Sequence, residues 1–309
     1  MGPERPQLHD FNHIYKVLAT SILETISPTR CVVCDMPGSV LCEGCASSLP
    51  FINLTLACPR CGAPFGRTLC TECPIPGSES ALLHPEEAFP FTQARAALSF
   101  EDGARRIIGT YKDGDELRLD AVIASLLCAA IRGRILGADT PRPPAVIWGK
   151  TGPSAVTSSE AERPAVISSE AERSREISSP PSLQDWTQWA DALVCVPASP
   201  EALLRRGFDH MERVAEIVAR RTGMALVHAL VSCKGARDQR ELGRGERLAN
   251  RSGSFSLAAD AVPEADALPR RIILIDDVFT TGATLSAAAH VLLDGGAHEI
   301  RTVTCCRVW

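Results

Sequence analysis

Aromatic side chains are scarce in this chain: nine Phe, four Trp and two Tyr make up 5% of its 309 residues. So thin a supply gives little support to a surface that binds by stacking bases. Long hydrophobic runs are missing as well. No apolar stretch approaches the roughly 20 residues that cross a bilayer, so no membrane span is expected. Neither sign of charge is in excess: a net charge of −5 removes any overall electrostatic case for nucleic acid binding. Met1 to Asp10 lacks a basic segment followed by an apolar one, which argues against a signal peptide and for a cytoplasmic protein. The seven histidines show no metal-ligand spacing, and each is expected to be a satisfied or exposed side chain.

Cysteine, by contrast, is plentiful. Of thirteen cysteines, eight form four Cys-x-x-Cys pairs: Cys31/Cys34, Cys42/Cys45, Cys58/Cys61 and Cys70/Cys73. A two-residue gap turns both thiolates of a tight knuckle toward one ion, and two knuckles complete a tetrahedron. The donors suffice for one or two structural Zn2+ ions. Four pairs in a row argue against disulfides or a redox Cys-x-x-Cys. Short connections favour Cys31/Cys34 with Cys42/Cys45, and Cys58/Cys61 with Cys70/Cys73, while a crossed arrangement or one partly filled site stays open. So small a segment has little apolar core, and metal would supply its folding energy. Cys128, Cys195, Cys233, Cys305 and Cys306 lie in mostly apolar stretches and read as small core residues.

The order along the chain follows from periodicity. Phe11, Ile14, Tyr15, Leu18 and Ile22 mark an amphipathic helix within 1–28, and the double zinc ribbon spans 29–76. A linker rich in Pro, Ser and Glu covers 77–90. The remainder, 91–309, alternates strands (92–101, 191–197, 225–231, 272–275, 299–308) with helices, which implies a mostly parallel sheet. Residues 138–188 interrupt it with a ten-residue repeat and read as a disordered insertion. Residues 233–254 read as a long polar loop.

The most informative stretch is 271–284, Arg-Ile-Ile-Leu-Ile-Asp-Asp-Val-Phe-Thr-Thr-Gly-Ala-Thr. Ile272 to Ile275 form a buried strand, and Asp276 and Asp277 stand where it should end. A strand–loop–helix unit aims backbone N–H groups and the positive end of a helix at an anion. Thr280, Thr281 and Thr284 add hydroxyls for phosphate oxygens. The acidic pair can hold vicinal sugar hydroxyls, directly or through a divalent ion. A phosphate at one end and a diol at the other describe a ribose 5-phosphate. A second cluster is basic: from Glu201 to Arg251 there are eleven Lys/Arg against seven Asp/Glu, including Arg205-Arg206-Gly207-Phe208. Arginine forks suit a polyanion such as pyrophosphate.

The 271–284 stretch resembles the phosphoribosyl pyrophosphate (PRPP) signature of type I phosphoribosyltransferases. Together with the Cys-x-x-Cys pairs, Tyr111-Lys112, Pro197 through Arg206-Gly207-Phe208, and Gln239-x-x-Leu242 followed by Arg247 and Asn250, it resembles the ComF family (ComFC and GntX-like proteins). The resemblance covers nearly all of the chain outside the insertion. It implies an α/β fold: a type I phosphoribosyltransferase-like, mostly parallel sheet with flanking helices, preceded by a small Cys-rich zinc ribbon domain. It implies PRPP with Mg2+ held by Asp276 and Asp277, which would also be the catalytic pair, and by Thr280, Thr281, Gly282, Ala283 and Thr284. Lys112, Arg205, Arg206, Gln239 and Arg247 would lie near pyrophosphate or a second substrate. It further implies a link to DNA uptake (competence) or use of external DNA, with single-stranded DNA and the uptake machinery as partners. The alternative is a non-catalytic PRPP sensor or single-stranded-DNA-binding protein. Some positions depart from the family pattern. Asp209-His210 replaces the usual Asn-Gln and is expected to set a negative charge near the anion site. Ala236 replaces a Thr, and Thr280 stands where some relatives have an acidic base.

Overall fold

The computed structural model describes residues 28–67, 70–71, 73, 89–114, 116–134, 183–233, 254–259 and 268–309. The expected N-terminal helix, most of the expected linker, residues 138–182 of the insertion, and Gln239, Arg247 and Asn250 of the basic loop lie outside these.

In chain order the described elements are α1 (Glu43–Ser47), β1 (Gln93–Ser99), α2 (Asp102–Asp113), α3 (Asp120–Ile131), β2 (Ala192–Cys195), α4 (Pro200–Arg206), α5 (His210–Thr222), β3 (Ala225–Leu226), β4 (Leu230–Ser232), β5 (Phe255–Leu257), β6 (Arg271–Phe279), α6 (Ala283–Asp294) and β7 (Glu299–Arg307). Five strands form a parallel sheet in the order β1-β7-β6-β2-β3, and β4 pairs antiparallel with β5. This is the parallel sheet with flanking helices that the strand–helix alternation implies.

The apolar runs of the central strands follow from burial on both faces. Ile273 and Ile275 join Leu193, Val303 and Cys305 in a core beneath α3 and α5. Ile272 and Leu274 join Val194 and Ile300 in a second core beneath α6. Removing one such side chain (Ile273→Ala) would cost about 2–5 kcal/mol. Helix α5 forms because Met211, Val214, Ala215 and Val218 recur on one face and Asp209 caps its first turn, while Gly223, at φ 75°, ends it in the left-handed conformation.

The cysteine-rich segment clasps the free edge of the sheet. Cys31, Leu41, Ala46 and Leu49 pack into the core of α3 and α5, whereas Cys58, Cys61 and Ala63 pack into that of α6. Between them the chain runs along β1: Ile52 N–H donates to the Ala97 carbonyl at 2.9 Å, and Ser99 N–H to that of Pro50 at 2.9 Å. An edge that would otherwise invite pairing is thereby covered.

Three local differences from the sequence expectations stand out. The strand expected at 225–231 is two short strands in different sheets, because the chain leaves the parallel sheet after Leu226. Strand β6 does not end at the acidic pair; Val278 and Phe279 continue it by pairing with Cys306 and Arg307. Leu183 to Gln188, placed by sequence at the end of the insertion, is ordered: Trp186 is buried, with the Arg95 guanidinium 3.9 Å above its ring. Among the described residues no helix is long and apolar enough to cross a membrane.

Candidate functional site

The topology has a switch point. From β2 the chain moves outward to β3 through α5. From β6 it moves the other way to β7 through α6. The two helices therefore cover opposite faces, and the strand order switches direction between β2 and β6, whose carboxyl ends are the usual ligand position in such sheets. Asp276 and Asp277 come to it on β6, Arg205 and Arg206 on α4 just beyond β2, and Lys112 on the last turn of α2.

Past Ile275 the strict alternation of β6 gives way: Val278 packs with the core of α3 and α5, and Phe279 with that of α6. Asp277 is buried on the α5 side. Its Oδ2 meets Lys112 Nζ at 2.5 Å and His210 Nε2 at 2.7 Å. His210 Nδ1 lies 3.1 Å from Arg206 Nη1. A guanidinium only donates, so Nδ1 accepts and the proton on Nε2 faces Asp277. The Tyr111 hydroxyl donates to the His210 carbonyl at 2.8 Å, fixing the start of α5. Burial opposes ionisation of Asp277, but the charge of Lys112 and the His210 hydrogen bond outweigh it and hold the carboxyl well below its ordinary range. Lys112 likewise overcomes its burial through Asp277 and is held above its ordinary range.

Asp276 is different. It is half-buried, and among the described residues its one direct partner is the Asp277 N–H, at 2.8 Å. Burial, and then the charge of Asp277, push its carboxyl up to about 8. Arg206 adds a second uncompensated group: its side chain is 10% exposed, and its buried Nε has no partner among the described residues. Arg205 and Arg206 approach Asp113 only loosely, at 3.6 and 3.9 Å.

Beside Asp276 the loop turns into α6. Thr280, Thr281 and Thr284 are exposed, and Gly282 is the N-cap of α6 at φ 82°. Only glycine fits there, since a Cβ would lie 2.6 Å from Phe89 and 2.7 Å from Phe279. The Thr281 hydroxyl accepts from Ala283 N–H at 3.4 Å.

Sequence reasoning missed His210. The signal was present, in the departure at Asp209-His210, but was read only for charge. That reading of Asp209 needs correction. Its Oδ1 accepts from Met211 and Glu212 N–H at 2.9 and 3.2 Å, and its Oδ2 from Ala198 N–H at 2.7 Å. It caps α5 and ties down the loop after β2, leaving only a minor upward push on Asp276.

The eight paired cysteines gather as Cys31/Cys34/Cys42/Cys45 and Cys58/Cys61/Cys70/Cys73, all four sulfurs in each cluster lying within 4.8 Å of one another. Neighbouring sulfurs are 3.6 Å apart in the first cluster and 3.5 and 3.7 Å in the second. Four thiolates about 2.3 Å from a tetrahedral Zn2+ stand roughly 3.8 Å from each other, so the donors fit that ion. They are too far apart for disulfides, and all thirteen cysteines are free. Cys42 and Cys45 N–H donate to Cys31 and Cys42 Sγ at 3.4 and 3.5 Å. Four sulfurs per cluster leave no open position for catalysis. Elsewhere, burial pushes the Cys195 thiol up to about 12, in keeping with a core residue.

No protein-family model matches the chain. It is 29% identical over 114 residues to Competence protein ComFC of Streptococcus pneumoniae, a match covering 37% of this chain and 47% of that protein. It is 30% identical over 112 residues to Competence protein F of Haemophilus influenzae, covering 36% of this chain and 48% of that protein. The chain thus spans about half the length of the curated relatives it matches. A parallel α/β sheet with flanking helices, joined to two four-cysteine clusters, fits the class of a phosphoribosyltransferase-like fold carrying a zinc-ribbon-like segment. Within that class, the chain resembles the ComF family.

Proposed function

We propose that this chain binds PRPP, with Mg2+, at the carboxyl ends of β2 and β6, and that it serves DNA uptake or use of external DNA as a ComF-type protein. The observation that carries this reading is the unequal state of the two aspartates. Asp277 is spent within the protein on Lys112 and His210, whereas Asp276 stands half-open, with no cation in direct contact among the described residues, beside exposed Thr280, Thr281 and Thr284. A single carboxylate together with substrate phosphates is a common donor set for Mg2+. Bound there, the ion would offset charge on the phosphates. Asp276 holds the ribose hydroxyls, the Thr280–Thr284 loop holds the 5-phosphate, and Arg205, Arg206 and Lys112 stand nearest the pyrophosphate, Arg206 Nε having no other partner among the described residues. Asp277 fixes the positions of Lys112, His210 and, through His210, Arg206. In a transferase these groups would orient C1 and stabilise the departing pyrophosphate. The two four-cysteine clusters hold structural Zn2+.

A second reading, a PRPP sensor that does not turn over, is favoured by one position: Thr280 stands where some relatives carry an acidic base. Equilibrium binding of PRPP, scored beside release of pyrophosphate on incubation with candidate acceptors, tests both. Binding with release supports the enzyme, and binding without release supports the sensor. Absence of PRPP binding, with labelled single-stranded DNA bound instead, would remove both.

A further inference from the structure

One buried cation belongs neither to the candidate site nor to the cysteine clusters, yet it touches both. Arg307, at the end of β7, is 2% exposed. Its Nε donates to the carbonyl of Cys61, a ligand of the second four-cysteine cluster, at 3.1 Å. Its Nη1 donates to the carbonyls of Thr280 and Phe279, at 2.7 and 3.3 Å, and to that of Val308. The guanidinium carbon lies 4.3 Å over the Phe279 ring. A second connection runs alongside. Arg60, inside the same Cys58–Cys61 knuckle, donates from Nη2 to the Phe89 carbonyl at 3.1 Å. Phe89 stacks on Phe91, meets Phe279 edge-on, and with Phe279 fills the space beside Gly282.

From this we infer that Arg307 is a positioning residue: it makes the order of the Thr280–Thr284 loop depend on metal in the second four-cysteine cluster. The coupling is one of hydrogen-bond satisfaction. A rigid guanidinium fork buried between the Cys61 carbonyl on one side and those of Phe279, Thr280 and Val308 on the other fixes their separation. If Cys58, Cys61, Cys70 and Cys73 lose their ion, the knuckle no longer holds the Cys61 carbonyl in place. A buried cation deprived of an acceptor is costly, so Arg307 shifts and the loop carbonyls shift with it. When those carbonyls move, the loop's N–H groups turn too, since each peptide plane carries both. The first cluster is the internal control. Its knuckle is tied instead to α2, where Arg106 Nη1 donates to the Val33 carbonyl at 2.8 Å.

The inference rests on the phosphate-loop reading only for its consequence on ligand binding. The test therefore reads the loop without ligand first. Hydrogen exchange of residues 279–286 is followed in the full chain, with zinc content assayed in each sample. Arg307→Gln should keep its zinc and the exchange of Ile272 to Ile275, yet raise loop exchange at least tenfold, with Arg307→Lys intermediate. Wild-type protein stripped with chelator and refilled should regain loop protection only as the second cluster fills. Cys34→Ser, which disturbs the first cluster, should leave the loop protected. Unchanged loop exchange in Arg307→Gln overturns the inference. If that variant does not fold, unchanged exchange on stripping the wild type overturns it equally. Titration with inorganic phosphate follows: a loop that responds to metal but binds no phosphate leaves the coupling standing and removes the functional reading.

Discussion

Lys112 and Asp277 form an ion pair across the carboxyl edge of the sheet, Nζ to Oδ2 at 2.5 Å, that joins the end of α2 to the end of β6. Its consequence is that the acidic pair divides its work. Asp277 is structural charge, tied to Lys112 and His210, and Asp276 is left with no cation in direct contact among the described residues.

Removing one partner of this pair leaves a mostly buried charge behind. Lys112→Met should destabilise the fold by about 2–3 kcal/mol, somewhat below the figure for a fully buried pair because Lys112 retains some exposure. Urea unfolding measures this. Lys112→Met/Asp277→Leu should recover most of the loss, and a strictly additive double variant would count against the pairing.

His210 bridges Asp277 and Arg206. Glutamine at this position can donate to the aspartate and accept from the arginine, whereas leucine can do neither. His210→Gln should thus keep PRPP affinity within about threefold, while His210→Leu should lower both stability and affinity, each by the cost of unsatisfied buried groups, about 1–3 kcal/mol. Comparing thermal midpoints and binding constants of the two variants checks this.

The raised carboxyl of Asp276 makes a pH prediction. A group whose folded value, about 8, lies above its ordinary 3.8 holds its proton more tightly when folded. Its contribution to stability is therefore fully present below the ordinary value and is lost as pH rises through about 8. Asp276→Asn should flatten the fall in stability across that window, measured by denaturant midpoints at a series of pH values. Asp277 behaves in the opposite sense, its contribution being present above the ordinary 3.8 and lost only in stronger acid.

Gly282→Ala should cost about 1–3 kcal/mol, because a methyl group there meets two phenylalanine rings on a left-handed backbone. A thermal midpoint equal to that of the wild type would mean the loop is set differently.

Much of this was legible in the sequence, for definable reasons. The parallel sheet followed from apolar runs buried on both faces, and the cysteine pairing from short connections. The strand–loop–helix unit at 271–294 followed from an apolar run, a Thr/Gly loop and a helical pattern. What stayed hidden depends on long-range placement. Nothing local in Asp276-Asp277 says that β6 continues past them, pairing with β7 as far as Phe279. His210 lies 67 residues from Asp277 and becomes its partner only through the crossover from β2. Arg307 likewise lies 246 residues from Cys61. The link that carries it depends on the ribbon clasping the sheet edge, which no periodicity encodes.

The central claim is that Asp276, and not its neighbour, offers its carboxyl group to a phosphosugar and its Mg2+. Calorimetric titration of PRPP with Mg2+ into the wild type and into Asp276→Asn tests it most directly. The account predicts saturable binding by the wild type, and a loss of roughly tenfold or more in a variant that remains folded, the usual worth of a charged hydrogen bond. Equal affinity in the two proteins would contradict it.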